Sequence, residues 1–222
     1  MQYTYHINCA DDNLIIKDDT YRYLFKARRH KIEDEIFFRN LKDNKIYKYI
    51  VKSISKKEAV LSLASFEEKI VESNKSLHIG WSIIDNKLVE KYITSLNEIG
   101  VEKITFVYSS FSQKNFKPNI EKLNKILINS SQQCGRSSLM KLDICDSITS
   151  FLNDYPNCKV IDFSENRISD KSEIETILIG TEGGFSKEER DLFADRNIIG
   201  LESSLILRSE TAAISVASKI LL

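Results

Sequence analysis

Three polar segments contain residues whose types and spacing suit the chemistry of a bound small molecule. In IGTEGGFSKEER, the apolar run TILI enters Gly180-Thr181-Glu182-Gly183-Gly184, and Ser186-Lys187-Glu188-Glu189 has capping-box spacing, so a glycine-rich turn precedes a helix start. Glycines permit close backbone approach and positive φ, which lets exposed amides and carbonyls hold a polar ligand. The spacing is neither GxGxxG nor that of a P-loop, so a Rossmann dinucleotide site and a P-loop are both disfavoured. A tight structural turn, with Ser186 and Glu189 only capping the helix, is the plainer alternative. In LILRSETAAISVASKILL, Leu207-Arg208-Ser209-Glu210-Thr211 opens a small-residue-rich helix. There Arg208 and Glu210 either pair with each other or hold a cofactor end and substrate. Gln133-Cys134-Gly135-Arg136 forms a third polar turn, whose arginine either offers phosphate a rigid donor fork or is simply exposed.

Two differently patterned regions must position these segments. From Tyr3 to about Ser65, the short β-leaning runs YTYHI, EIFFRN, KIYKYIVKSI and AVLSLAS are separated by Asp, Asn, Lys and Ser, predicting a small β domain. Between the first two, TYRYLFKARR predicts one helix with Tyr21, Leu24, Phe25 and Arg28 on neighbouring faces. A boundary is expected near residues 66–75. Beyond it, SLHIGWSII, KITFVYS, CKVIDFS, TILIG and NIIGL alternate with helical patterns that begin near Asn86, Asn119, Ser147 and Lys187, as in βα units with a largely parallel sheet. The first of these helices carries an apolar stripe of Leu88, Tyr92, Leu96 and Ile99 and ends at Gly100; the second repeats Ile120, Leu123, Leu127 and Ser130.

Composition narrows the function classes. The 222 residues contain 32 Lys plus Arg and 32 Asp plus Glu, so net charge alone argues for no particular partner. The distribution is uneven, because residues 21–57 carry 12 basic and four acidic groups interleaved with Tyr and Phe. That stretch reads either as a solvated lysine-rich surface or as an RNA phosphate-binding face. The start, MQYTYHINCADD, shows no charged leader or apolar core, and no run is long enough to span a bilayer, so a cytoplasmic protein without membrane contact is expected. Cys9, Cys134, Cys145 and Cys158 form no CxxC or zinc pattern, and no metal is expected.

Taken together, IGTEGGF, ILRSETAA and QQCGR resemble the RsmE family of SPOUT-superfamily methyltransferases, and the resemblance extends over nearly the whole chain. Thr181 stands at a common proline position, and Ser209 replaces a frequent threonine. Ser95, Gln113, Ser203 and Leu205 also depart from the family pattern. The resemblance implies an α/β architecture: a small N-terminal PUA-like β-barrel that binds RNA over residues 1–70, then a SPOUT domain over 71–222 with a C-terminal trefoil knot and dimerisation.

The implied activity is S-adenosyl-L-methionine-dependent N3-methylation of a specific uridine in 16S rRNA of the small ribosomal subunit, by a homodimer that does not act on DNA. Ribose 2′-O-methylation by the same class and a non-catalytic rRNA-binding assembly role are the alternatives. By the same resemblance, the cofactor site is expected to involve Ile179, Gly180, Glu182, Gly183, Gly184, Leu201, Leu207 and Ser209. Arg136 and Arg208 are expected to orient phosphate or to stabilise charge on the uracil, and Glu182 or Glu210 to take up the N3 proton.

Overall fold

The computed structural model describes residues 2–113, 115–168, 173–193 and 197–222. They form two compact units, one of residues 1–72 with 128–139 and the other of 73–127 with 140–222.

In the first unit, β1 (Thr4–Tyr5), β2 (Asn13–Ile16), β3 (Glu35–Arg39), β4 (Lys45–Ile54) and β5 (Ala59–Glu68) make one sheet in the order β1-β3-β4-β5-β2. All pairings are antiparallel except β1 with β3. Register shifts at Lys48/Tyr49 and Val51/Ser53 bend β4 and let Tyr47, Tyr49 and Val51 reach a core shared with Leu14, Ile16, Phe38 and Leu61. β2, the run NLII, does not stand out in the sequence because only Leu14 and Ile16 are buried while Asn13 and Ile15 are exposed. β5 extends to Glu68, so the charged end of this strand lies inside the stretch expected to be a connection. The single helix expected over TYRYLFKARR is instead a four-residue α1 (Asp18–Tyr21) that continues as a π-helix, Arg22–Ala27. Tyr21, Leu24 and Phe25 still face the core, and Arg28 is exposed.

In the second unit, β6 (His78–Ser82), β7 (Lys103–Val107), β8 (Lys141–Cys145), β9 (Lys159–Ile161), β10 (Thr176–Ile179) and β11 (Ile198–Ile199) form a wholly parallel sheet in the order β11-β9-β10-β6-β7-β8. Every residue of β6 is buried, as expected for an interior strand covered on both faces. β8 escapes sequence reading because Lys141 and Asp143 interrupt a half-exposed edge strand. The buried face of α2 (Asn86–Ile99) comprises Val89, Ile93, Leu96 and Asn97, one position away from the expected stripe; Leu88, Tyr92 and Ile99 are only half-buried. Gly100 ends this helix in the left-handed conformation at φ +107°, where a side chain would be strained.

α3 (Ile120–Cys134) buries Leu123, Leu127 and Ser130 as the pattern predicts. α4 (Ile148–Asp154) begins where Ser147 Oγ accepts the Ser150 N–H, α5 (Lys187–Arg190) begins at Ser186, and α6 (Ser209–Leu221) buries Ala212, Ala213, Val216, Ala217 and Ile220. The strands run outward from β6 through β7 to β8, and β9, β10 and β11 then fill the other side. The direction therefore reverses between β6 and β10, the type of junction beside which open α/β sheets form ligand crevices at the strands' carboxyl ends.

Candidate active site

At the carboxyl ends of β9, β10 and β11 lies a cavity of about 270 Å³. Its wall contains Ile179, Gly180, Glu182, Gly183, Gly184, Leu201, Leu207 and Ser209, the eight residues expected at a cofactor site. The glycine turn is tight: the Gly184 N–H donates to the Thr181 carbonyl at 2.9 Å, and Gly184 takes φ +69°. A β-carbon on Gly180 would come within 3.1 Å of the Gly184 backbone, so a side chain there would push the two strands of the turn apart by a few tenths of an ångström. Its backbone amides and carbonyls, flanked by apolar Ile179, Leu201 and Leu207, suit a ligand with a polar end and a flat apolar body.

The buried Ser209 hydroxyl donates to the Gly180 carbonyl at 2.6 Å and accepts the Trp81 indole N–H at 2.9 Å. It thereby ties the first turn of α6 to both β6 and the glycine turn. Glu210, only 2% exposed, occupies the first turn of α6, where the helix dipole favours a carboxylate, but its Oε2 has no hydrogen-bond partner among the described residues. Arg208 is exposed and makes no ion pair with Glu210 among the described residues. The expected Arg208–Glu210 pairing is thus corrected, since side chains two apart at a helix start do not face each other. Ser186 and Glu189 form a capping box, and buried Glu189 also accepts the Ser110 N–H at 2.7 Å, which fixes the far side of the turn to the loop after β7.

The model of the RNA methyltransferase domain family matches residues 71–221, and that of the RNA methyltransferase PUA domain family matches residues 16–64. The chain belongs to the RNA methyltransferase family. It is 37% identical to a Helicobacter pylori protein called Ribosomal RNA small subunit methyltransferase E, with 98% of each chain covered. A Buchnera aphidicola protein of the same name is 29% identical, with 90% of this chain and 83% of that one covered. Ribosomal RNA small subunit methyltransferase E from Neisseria gonorrhoeae, solved bound to S-adenosyl methionine, shares the fold with a TM-score of 0.78 at 17% identity, covering 98% of this chain and 96% of that one.

In this RNA methyltransferase the four residues expected to act on substrate occupy different places. Glu182 is exposed and lines the cavity, whereas Arg208 and Glu210 flank Ser209 without entering the wall. Arg136 belongs to the first unit and is buried rather than exposed, and its carbonyl accepts the Tyr3 hydroxyl at 2.8 Å.

Sequence reading missed Asp162, Phe163, Arg167 and Arg190 in the wall. Arg190 grips Asp162 through Nε at 2.8 Å and Nη2 at 3.3 Å, and Arg167 Nη1 donates to the Leu201 carbonyl at 2.9 Å. The position of Asp162 and Phe163 directly after a parallel strand was the available signal. Ser203 and Leu205, two departures from the family pattern, also line the cavity, and the Ser203 hydroxyl accepts the Leu205 N–H at 3.1 Å. Gln113 is exposed and Ser95 half-buried, and neither lines the cavity.

The basic stretch divides by environment. Arg39 is buried, donating to the carbonyls of Asn44, Lys45 and Lys69, so it is unavailable to an external anion. Arg22, Lys48 and Lys52 pair with Asp19, Glu35 and Glu33. The other eight cations of residues 21–57 have no carboxylate partner among the described residues, and all of them except half-buried Lys45 are exposed. Burial pushes the thiols of Cys9 and Cys158 up to about 12, which makes both poor nucleophiles. Among the described residues no helix is long and apolar enough to cross a membrane.

Proposed function

We propose that this chain methylates N3 of a specific uridine in 16S rRNA of the small ribosomal subunit, with S-adenosyl-L-methionine as cofactor. One observation carries the reading: a single cavity at the carboxyl ends of β9, β10 and β11 gathers the glycine turn, Leu201, Leu207 and Ser209. When bound, the cofactor supplies an electrophilic methyl group. Gly180, Gly183 and Gly184 present backbone to its polar end, Ile179, Leu201 and Leu207 enclose its apolar parts, and Ser209 holds the two walls together. Uridine N3 must lose its proton as it attacks, and Glu182 is the proposed acceptor. Of the two carboxylates in the wall, Asp162 is held by Arg190, whereas Glu182 has no ion pair among the described residues. Arg208, exposed beside the cavity wall, orients phosphate or stabilises charge on the uracil. Buried Glu210 supports the start of α6, and Arg136 holds the polar turn that follows α3.

On the same reading, residues 1–70 are a PUA-like barrel that binds rRNA through the exposed cations of residues 21–57 that have no carboxylate partner among the described residues. Residues 71–222 are a SPOUT domain with a C-terminal trefoil knot, which forms a cytoplasmic homodimer. The test is incubation of the protein with S-adenosyl-L-methionine and unmethylated small subunits, followed by nucleoside mass spectrometry. One N3-methyluridine is expected. A methylated ribose would assign the alternative chemistry, and RNA binding without transfer would assign an assembly role.

A further inference from the structure

Tyr23 and Arg28 border two adjoining recesses of the first unit, of about 430 and 190 Å³, which also share Gln2, Tyr3 and Thr4. The π-helix creates this arrangement. At 3.6 residues per turn, side chains five apart on an α-helix diverge by about 140°. With i to i+5 bonding, the Arg28 N–H donates to the Tyr23 carbonyl at 2.9 Å, and the Arg28 guanidinium lies over the tyrosine, donating to its hydroxyl at 2.9 and 3.1 Å. Tyr23 is 46% exposed yet held at its hydroxyl end, so its ring forms a fixed aromatic platform. Short π-helical segments of this kind recur at functional sites.

The larger recess is completed by the last turns of α3. Gln132 is committed there, with Oε1 accepting the Tyr5 N–H at 2.7 Å and Nε2 donating to Asn129 Oδ1 at 3.1 Å. The amide nitrogen of Asn129 and the side-chain amides of Gln2 and Gln133 have no partner among the described residues. Asp19, the one carboxylate in this wall, is taken by Arg22.

We infer that this recess binds one unpaired nucleobase of the RNA, stacked on Tyr23 and hydrogen-bonded along its edge by Gln2, Asn129 and Gln133. The inference rests on the RNA-binding reading above. An aromatic face beside free donor and acceptor amides matches how proteins hold splayed-out RNA bases. Free phosphate or an acidic peptide would instead call for uncommitted cations, and the cation in the wall, Arg28, is engaged by the Tyr23 hydroxyl. Exposed Lys26 and Arg29 lie next to it in sequence and can contact the flanking phosphates.

The test is fluorescence anisotropy of the full chain with short labelled oligo(U), oligo(A) and oligo(C). Tyr23→Ala should weaken binding by about five- to hundredfold, the range expected for base–aromatic stacking, while Tyr23→Phe keeps most of the affinity. Tyr23→Ala should leave the salt slope unchanged, whereas Arg29→Ala lowers it by about one. Gln133→Ala, an exposed change with little reach into the core, should alter the ranking of the three oligonucleotides. Unchanged affinity in Tyr23→Ala, an unchanged ranking in Gln133→Ala, or absence of single-strand binding by the unaltered chain would each overturn the inference. Cofactor binding and transfer are read separately: methylation by an enzyme indifferent to Tyr23 defeats only this inference, and Tyr23-dependent binding without methylation defeats only the proposed activity.

Discussion

Ser209 and Gly180 are joined by a 2.6 Å hydrogen bond from the Ser209 hydroxyl to the Gly180 carbonyl, and the Trp81 indole N–H donates to that hydroxyl oxygen of Ser209 at 2.9 Å. Residues distant in sequence thus share one buried hydroxyl at the cavity wall. Loss of the hydroxyl at position 209 acts on stability and on the site together.

Ser209→Ala should destabilise the chain by about 2 kcal/mol, because it strands the buried indole N–H of Trp81 and the Gly180 carbonyl. Ser209→Thr should retain the hydroxyl bonds and most of that stability. Denaturant unfolding measures the first effect, and titration calorimetry with S-adenosyl-L-methionine should show weaker binding by Ser209→Ala than by Ser209→Thr.

Gly184→Ala places a β-carbon on a residue at φ +69° and should cost about 1 kcal/mol of stability. Gly180→Ala should disturb the site more, because the added carbon meets the Gly184 backbone at 3.1 Å. Calorimetry should rank cofactor affinity as unaltered chain, then Gly184→Ala, then Gly180→Ala.

Glu182→Gln separates charge from shape. If the carboxylate takes the N3 proton, transfer falls at least about a hundredfold while cofactor affinity holds, in keeping with the usual contribution of a general base. Arg208→Ala should lower transfer without changing stability by more than about 0.5 kcal/mol, because its side chain is exposed and makes no ion pair among the described residues. Single-turnover methylation and thermal unfolding distinguish these outcomes.

Acid stability should depend on His78. Burial first, and then the nearby Lys103 charge, lower its pKa to about 4, and its Nε2 contacts Thr105 Oγ1 at 2.8 Å. The unfolded chain, with a value near 6.5, binds this proton more readily, so the stabilisation present above about pH 6.5 is lost progressively as pH falls toward 4. The loss is about 3 kcal/mol at most. Urea unfolding across that window should show a steeper slope for the unaltered chain than for His78→Gln.

Much of this architecture is legible in the sequence because it is periodic. The runs HIGWS, KITFV and TILI are continuous apolar segments that become interior parallel strands, and Ser186 and Glu189 reveal their helix start by spacing alone. β2 and β8 are hidden because edge strands bury fewer residues. The one-position offset of the α2 stripe reflects packing against neighbours that periodicity cannot see. At the site, Gly180 and Ser209 are visible as motif residues, whereas Asp162, Arg167 and Arg190 enter through the placement of β9 between β10 and β11, a tertiary choice without a local signature. The π-helical register is equally silent, because TYRYLFKARR suits α-helical spacing just as well.

The register of β10 against β6 sets the timing of assembly. Thr176 pairs with His78 and Ile179 with Trp81, so an interior strand of the sheet awaits chain made much later. Such distant pairings raise contact order and slow folding. Because Trp81 on β6 is bonded to Ser209 at the start of α6, the wall of the cavity is complete only once that helix has met the sheet. The cavity is therefore a late product of folding, walled by segments that no single local element could bring together.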